Sequence, residues 1–191
     1  IAPSLVGSEM CIRDSVSTDS KQIAMISEKY GAKIIKRPQD ISTDTSSSEE
    51  ALSHFCKNVN FDIMIFIQPT SPLLLAEDLI KGINIIKSGQ ATSVFSVYKE
   101  HWIPRWNLDI KPINWNPQSR PRRQDMPEQY VENGAFYITT REQFLDSGIR
   151  YGEKNLDIVE MPLSRSIQVD TLSDLELVNK LKQDQGAHLH E

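Results

Sequence analysis

A short arginine-rich segment, Ser119 to Asp125, holds the densest group of side chains that could do chemistry. Its sequence is SRPRRQD, so Arg120, Arg122 and Arg123 fall within four positions around Pro121. Guanidinium groups at this density need anions, and their planar forks suit a carboxylate, a phosphate or a pyrophosphate. The proline restricts the backbone, which favours a placed anion clamp over the alternative of a solvated charge patch.

A polar strand exit is the second candidate. The apolar run Ile63 to Ile67 predicts a short strand buried on both faces, and the sequence QPTSP follows it from Gln68. The two prolines end the strand and fix the path of the loop. Gln68 is therefore expected at the carboxyl end of a central parallel strand, the edge where α/β sheets bind ligands. The alternative is a polar exit without a function.

Three further polar groups flank predicted strands: two follow a strand end, and the pair Asn133–Gly134 marks a strand start. Arg37 precedes the hydroxyl-rich segment STDTSSSE, and both features attract anions. Asn133 and Gly134 could present amide groups to a polyhydroxylated ligand. Asp170, beside a helix start, could bind a divalent cation that carries phosphates. Each group also has an interpretation without a function: a capped helix after Arg37, a turn at Asn133 and Gly134, and a helix cap at Asp170. Together they are the parts needed for a nucleotide-sugar reaction.

Composition narrows the class of protein. The 191 residues suit one domain with a sizeable core, and 39% of them are apolar and 25% charged. The net charge of −5 argues against a protein that coats nucleic acid or lies on a membrane surface, so neither partner is expected. Two cysteines, Cys11 and Cys56, make neither a disulfide framework nor a metal site. The cytoplasm is the expected compartment.

The elements that must position these residues alternate along the first half of the chain. Helical spacing of apolar residues and capping signals separate short β-branched runs. The predicted order is β-α-β-α-β-α-β, which implies a parallel sheet covered by helices on both faces. The signals used are strands at Val16–Thr18, Ala32–Ile35, Ile63–Ile67 and Thr92–Val97, and helices that begin near Ser20, at a Ser46–Glu49 capping box and at Ala76.

The second half begins with an irregular stretch, residues 99–131. It contains five of the ten prolines and all three tryptophans, Trp102, Trp106 and Trp115. So long an irregular connection is rare unless it is functional, and three tryptophans are too much apolar surface to leave in water. We expect an extended arm that packs on another subunit; the alternative is a floppy surface insertion.

The rest of the chain returns to regular elements. Strands are predicted at Gly134–Thr139, Leu156–Met161 and Ile167–Val169, and a short helix at Arg141–Ser147. Thr171 is expected to cap a final helix, with Asp174 at the third helical position.

Neither end of the chain is expected to belong to the folded domain. Residues 1–15 include SLVGSEMCIRD, which resembles a translated sequencing-adapter remnant, so this stretch is expected to be a non-native scar. A genuine frayed terminus is the alternative. Residues 16–182 are expected to form a single, incomplete domain, and the polar residues 183–191 a frayed tail.

The motifs together resemble a known family. VSTDS, RP followed by STDTSSS, IQPTSPL, RPRRQD, ENGAFY and VDT occur in the order found in N-acylneuraminate cytidylyltransferases (CMP-sialic acid synthetases), over residues 16–182. The resemblance implies an α/β fold: a three-layer, nucleotidyltransferase-like, mostly parallel sheet with an inserted dimerisation arm. It implies a homodimer, CTP and a sialic acid as substrates, Mg²⁺ as cofactor, and CMP-sialic acid and pyrophosphate as products.

The resemblance also implies roles for individual residues. Arg122, Arg123 and Gln124 match the substrate-facing group of the arm and are the expected catalytic residues. The other matches are nucleotide contacts at Arg37 and Ser48, sugar contacts at Gln68, Arg105, Asn133 and Tyr137, and a metal-binding carboxylate at Asp170.

Three departures from the family pattern stand out. The Gly/Ser/Lys/Arg-rich loop that grips the CTP phosphates has no counterpart here, and the stretch 1–15 stands in its place. Gln168 replaces one of two paired aspartates, and Leu74 replaces an arginine. Because such contacts are often worth a few kcal/mol each, the chain as given is expected to have little or no activity.

Two alternatives stay open. One is a cytidylyltransferase for another acid sugar, such as legionaminate, pseudaminate or Kdo, although the RPRRQD arm favours the sialate-type group. The other is a non-catalytic module that binds a nucleotide or a sugar, which Gln168 and Leu74 would favour.

Overall fold

The computed structural model describes residues 13–152 and 154–187. Most of the expected scar, and the last four residues of the expected tail, lie outside this range. Six strands and five α-helices follow one another in the described part of the chain. The strands are β1 Ser15–Thr18, β2 Lys33–Lys36, β3 Ile63–Ile67, β4 Ser93–Glu100, β5 Gln129–Thr140 and β6 Leu156–Glu160; the helices are α1 Lys21–Lys29, α2 Ser48–Asn58, α3 Ala76–Lys87, α4 Arg141–Ser147 and α5 Leu172–Ala187.

Local signals position the helix ends well. Ser20 caps α1 by accepting a hydrogen bond from the N–H of Ile23, and Gly31 follows that helix with a φ of 87°. The capping box of α2 joins Ser47 to Glu50, one residue later than predicted. The offset arises because Ser46 bonds instead to Thr43, in the preceding turn.

The strands form two sheets. β1 pairs in parallel with β2, and the other four strands lie in the order β3-β5-β4-β6. β5 is antiparallel to both of its neighbours, whereas β4 and β6 are parallel, so three strands of this sheet run one way and β5 runs the other. The mostly parallel arrangement is confirmed, but β3 and β4 do not pair directly, because β5 lies between them. The prediction that Gln68 ends a central parallel strand is wrong: β3 lies at the edge of this sheet and pairs with the antiparallel β5.

Helices cover both faces of the four-stranded sheet, which gives the three layers predicted. One core cluster packs α3 onto alternate residues of β5, such as Phe136 and Ile138. The second cluster, on the opposite face, joins α2 and α4 to β3 through Cys56, Phe144 and Met64. Cys56 is thus a small buried apolar residue, as its helical spacing predicts.

Two parts of the chain differ from expectation. The strand predicted at Ile167–Val169 is wrong: this segment has no regular secondary structure, and the N–H of Val169 donates to the carbonyl of Thr70 at 2.8 Å. Helix α1 has the predicted apolar spacing, yet none of its residues is buried, and Ile23 and Ile26 are half exposed. No helix in the described part of the chain is long and apolar enough to cross a membrane.

Candidate active site

The end of β3 meets the first half of β5 at a crowded junction. The N–H of Gln68 donates to the carbonyl of Ala135 at 3.1 Å. Gly134 has a φ of 65°, and a Cβ atom there would lie 2.0 Å from Nε2 of Gln168 and 2.7 Å from Oε1 of Gln68. Only glycine fits both the backbone angle and the space. Two glutamine side chains therefore converge over Gly134 at the predicted ligand-binding edge.

Asn133 lies at the same junction, but protein groups use its amide. It is 3% exposed, its Nδ2 donates to Oγ of Ser166 at 2.9 Å, and its Oδ1 accepts from the N–H of Ala135 at 3.2 Å. Nε2 of Gln168 donates to the backbone carbonyl of Asn133. Asn133 thus holds this part of β5 in place, and a direct sugar contact by its side chain stays a prediction.

Tyr137 is buried in an aromatic group on the α2 side of the sheet. Its ring stacks on Phe66 at 5.9 Å and meets the edge of Tyr151 at 5.4 Å. The hydroxyl groups of Tyr137 and Tyr151 both donate to the carboxylate of Glu132. Burial, and then the hydrogen bond to Glu132, raise the pKa of each tyrosine, so both are neutral donors at physiological pH.

An arginine completes this aromatic group. Arg150 lies over the ring of Tyr137 at 4.9 Å and binds the carboxylate of Glu49 through two hydrogen bonds of 2.7 and 3.0 Å. Those bonds lower the pKa of the Glu49 carboxyl and raise that of Arg150. Sequence reasoning missed Arg150, Tyr151, Glu132 and Glu49. The only local hint was a charged and aromatic residue side by side after Gly148, in a loop.

A buried ion pair fixes the other side of the junction. The carboxylate of Asp78, at the start of α3, is fully buried and accepts two hydrogen bonds from Arg165. It also accepts from the N–H of Leu75 at 3.2 Å. This pair anchors the segment that leads to Gln168, and sequence reasoning missed it because the two residues are 87 positions apart.

The predicted nucleotide contacts lie on the smaller sheet and at the start of α2. Arg37 follows β2; its Nε donates to Oγ of Ser42 at 3.1 Å, and its guanidinium lies 3.9 Å from Asp19. Ser48 is the first residue of α2. The turn before that helix is rich in hydroxyl groups that bond to one another, among them those of Thr43 and Ser46.

The arm is shorter than the predicted residues 99–131, because residues 99–100 belong to β4 and residues 129–131 to β5. The remaining arm, residues 101–128, is mostly exposed and only partly held by contacts with the rest of the chain. Arg105 pairs with Glu100 at 3.0 Å, and Arg122 pairs with Asp125 through bonds of 2.6 and 3.0 Å. Arg123 lines a pocket of about 270 Å³, and Gln124 is exposed. No hydrogen bond or ion pair among the described residues joins Arg122 or Arg123 to Gln68 or Asp170.

The arm's tryptophans do not behave alike. Trp102 is 3% exposed and lies in the floor of that pocket, so it is covered without a second subunit. Trp106 and Trp115 pack edge to face at 5.0 Å, and Trp106 remains half exposed. The expectation that all three tryptophans need another subunit was therefore too broad.

Asp170 is an exposed carboxylate near the start of α5, where Thr171 and Asp174 form the predicted cap. Its neighbour Gln168 is turned inward to the carbonyl of Asn133. Within residues 13–152 and 154–187, no group of three or more His, Cys, Asp or Glu side chains could hold a metal ion. The metal-binding role of Asp170 stays a prediction.

Comparisons with known proteins agree on one family. A family model described as cytidylyltransferase matches residues 6–190. The chain is 35% identical over 163 residues to N-acylneuraminate cytidylyltransferase A of Danio rerio, covering 81% of this chain and 37% of that protein. It is 33% identical over 186 residues to the CMP-N,N'-diacetyllegionaminic acid synthase of Legionella pneumophila, covering 91% and 79%.

A solved structure gives the same answer for the fold. The structure of a CMP:2-keto-3-deoxy-manno-octonic acid synthetase complexed with CTP is similar with a TM-score of 0.63 and 16% identity, covering 91% of this chain and 82% of that one. The nucleotidyltransferase-like fold is thereby confirmed. The chain spans little more than a third of the length of the fish N-acylneuraminate cytidylyltransferases that it matches. By its family model and its bacterial relative together, the chain belongs to the cytidylyltransferase family.

Proposed function

We propose that the protein to which this chain belongs transfers CMP from CTP to the anomeric hydroxyl of a sialic acid, with release of pyrophosphate. The hydroxyl oxygen forms a bond to the α-phosphorus, the bond from that phosphorus to the bridging oxygen breaks, and the hydroxyl proton is released. Membership of the cytidylyltransferase family supports the CTP half of the reaction. The convergence of Gln68 and Gln168 over Gly134 is the observation that carries the sugar half.

A second acid sugar is the runner-up substrate. The similarity to a CMP-N,N'-diacetyllegionaminic acid synthase covers more of the relative's length than the similarity to the fish sialate enzyme does. Legionaminic acids share the carboxylate and the anomeric hydroxyl of sialic acids, so the same amide and arginine groups would serve both. Pseudaminate and Kdo are further alternative substrates, and the same assay tests them.

The residues divide into a nucleotide side and a sugar side. In this proposal Arg37 and Ser48 contact CTP, and Gln68, Tyr137 and Asn133 position the sugar. Arg105, Arg122, Arg123 and Gln124 supply charge and hydrogen bonds to the sugar carboxylate and the phosphates. The chemistry depends on positioning and electrostatic stabilisation, and needs no covalent nucleophile.

Mg²⁺ fits the chain as an ion delivered with the nucleotide. Mg²⁺ is commonly bound by one or two carboxylates together with substrate phosphates, and Asp170 would be its ligand here. When bound, the ion would neutralise charge on the phosphates. Gln168 is engaged with Asn133 and is neutral, so we do not assign it to the metal.

The arm is proposed to hold two copies of the chain together. Its tip, residues 106–113, is an antiparallel turn that exposes four large apolar side chains, Trp106, Leu108, Ile110 and Ile113. Apolar surface of this kind marks an interface. In such a dimer the arginines of one arm would face the partner's site. Since CTP is an intracellular nucleotide, we also propose a cytoplasmic location.

The decisive experiment measures pyrophosphate release with CTP, Mg²⁺ and a panel of N-acetylneuraminate, N,N'-diacetyllegionaminate, pseudaminate and Kdo. For the protein to which this chain belongs we expect turnover with N-acetylneuraminate, and a large loss in Gln68→Ala. The chain as given should show little or no turnover. Gln22→Ala, an exposed amide on α1, is the matched control and should keep the parent activity. Binding of CMP-sialic acid without turnover would instead support a non-catalytic module, and a preference for another sugar would select the runner-up.

A further inference from the structure

Arg150 lies in none of the motifs described above, yet it is among the best-held arginines of the chain. It comes from the loop between α4 and β6, and its side chain is only 14% exposed. Both oxygens of Glu49 accept from it, in a bidentate pair between residues 101 positions apart. A paired fork of this kind fixes orientation as well as distance.

The same guanidinium also lies over two aromatic rings. Its central carbon is 4.9 Å from the centroid of Tyr137 and 5.5 Å from that of Phe66. Cation–π contacts at partly desolvated sites are attractive, and they restrain the ring as well as the arginine. One side chain therefore touches the first turn of α2, strand β3 and strand β5.

These three contacts lie beside residues that the proposed function uses. Glu49 directly follows Ser48, the proposed nucleotide contact. Phe66 is on β3, two residues before Gln68, and Tyr137 is itself a proposed sugar contact. Tyr151, next to Arg150, packs edge to face with Tyr137 and donates to the carboxylate that accepts from the Tyr137 hydroxyl. The loop thus contacts the Tyr137 ring through two residues and shares its hydroxyl's partner.

We propose that Arg150 is a positioning residue that fixes the first turn of α2 relative to the Tyr137 ring, and so sets the distance between the nucleotide and sugar sides of the site. The inference rests on the proposed function and deepens it. Arg150 need not touch either substrate. It acts through Glu49 on one side and through Tyr137 on the other.

The chain supplies a matched control for a merely structural role. Arg141 donates to the backbone carbonyls of Cys56 and Val59 at 3.0 and 2.9 Å, and it lies 5.1 Å over the ring of Phe61. It therefore ties down the far end of the same helix with the same kinds of contact. Arg150→Gln and Arg141→Gln remove comparable interactions from opposite ends of α2.

The test compares steady-state kinetics of Arg150→Gln, Glu49→Gln and Arg141→Gln with those of the parent protein. For Arg150→Gln we expect the KM values for CTP and for the acid sugar each to rise about tenfold, the size of effect typical for loss of a charged hydrogen bond. Arg150→Lys keeps the positive charge but loses the planar guanidinium, so its KM values should lie between those of the parent protein and those of Arg150→Gln. Arg141→Gln should lower the melting temperature with both KM values unchanged.

The double variant Glu49→Gln/Arg150→Gln tests whether the effects of the two substitutions on the KM values are coupled or independent. Because the two residues act as one unit, its KM values should match those of Arg150→Gln rather than the product of the single effects. If Arg150→Gln folds and keeps the parent KM values, or if it behaves like Arg141→Gln, the inference is overturned.

A second measurement needs no turnover. Exchange of the backbone N–H groups of residues 48–56 should quicken more in Arg150→Gln than in Arg141→Gln. The reason is that Arg150 holds the Glu49 carboxylate at the start of α2, whereas Arg141 holds carbonyls at its end. If the parent protein neither binds CTP nor releases pyrophosphate, the proposed function fails. Hydrogen exchange then still tests whether Arg150 holds the start of α2 through Glu49. Equal exchange at the start of α2 in Arg150→Gln and in the parent would overturn the inference.

Discussion

The junction of β3 with β5 and the arm differ in how they hold their polar groups. At the junction, amides and charges are buried and bonded to protein, as with Asn133 and Asp78. On the arm, the arginines are exposed and bonded mainly to nearby carboxylates, as with Arg122 and Asp125. The polar groups of the junction are held by protein contacts without a ligand, whereas the arm has exposed arginines that a ligand or a second subunit could contact. Substitutions should therefore act on stability at the junction and on assembly or turnover at the arm.

Loss of the buried carboxylate should give the largest effect. Asp78→Ala leaves Arg165 largely buried without its partner, which typically costs about 3–5 kcal/mol in the free energy of unfolding. Urea unfolding at neutral pH measures it. The exposed acid Glu77, one residue earlier, is the control, and Glu77→Ala should change the free energy by no more than about 0.5 kcal/mol. Similar values for the two variants would contradict a preformed junction.

Crowding at Gly134 should give the next largest effect. Gly134→Ala combines a positive φ with a Cβ 2.0 Å from Nε2 of Gln168, and we expect a loss of about 3 kcal/mol together with weaker sugar binding. Gly89→Ala has a φ of 74° but nothing within 4 Å of the new Cβ, so it tests the backbone strain alone. Unfolding curves of both variants, recorded side by side, separate the two contributions. An equal loss in both would show that space at Gly134 does not matter.

The Glu49 carboxylate gives a smaller, pH-dependent effect. Its folded-state pKa is lowered by Arg150 from an ordinary value of 4.5, so its stabilisation is present above pH 4.5 and lost as pH falls through the lower folded pKa. We expect Glu49→Gln to cost about 1–2 kcal/mol at pH 7. The difference from the parent should shrink steadily below pH 4.5, as followed by urea unfolding. A difference that is constant from pH 7 to pH 3 would contradict the ion pair.

The arm should give the smallest effect on stability. Leu108 is fully exposed at the arm tip, so Leu108→Ser should change the free energy of unfolding of one subunit by less than about 0.5 kcal/mol. The same change should weaken the proposed dimer, which sedimentation at several protein concentrations would detect. Leu163→Ser, an exposed leucine outside the arm, should leave assembly unchanged. A dimer that is insensitive to Leu108→Ser would shift the interface away from the arm tip.

Sequence patterns predicted what is decided locally. The caps at Ser20 and Thr171 and the glycine stop at Gly31 depend on neighbours within four residues, and all three occur as expected. The capping box of α2 was displaced by one residue, because adjacent serines offer equivalent caps and the bonds of the preceding turn decide between them.

Contacts between distant residues were not predictable in the same way. The direction of β5 depends on which strands it joins, and its apolar run reads alike in either direction. The Arg150–Glu49 pair spans 101 positions and carries no local pattern. Resemblance to a family pointed to Gln68, Asn133 and Tyr137, but only the fold brings Gln168 to Gly134 and aims the guanidinium of Arg150 at the Tyr137 ring.

The register between β4 and β5 has a consequence for the arm. Glu100 pairs with Gln129, and the ladder continues through Lys99 with Tyr130 and Tyr98 with Val131. Both ends of the arm are therefore joined side by side to one two-stranded ribbon, and β5 continues from that ribbon to Asn133 and Gly134. A second subunit bound to the arm would thus be attached to the same strand that carries these two residues.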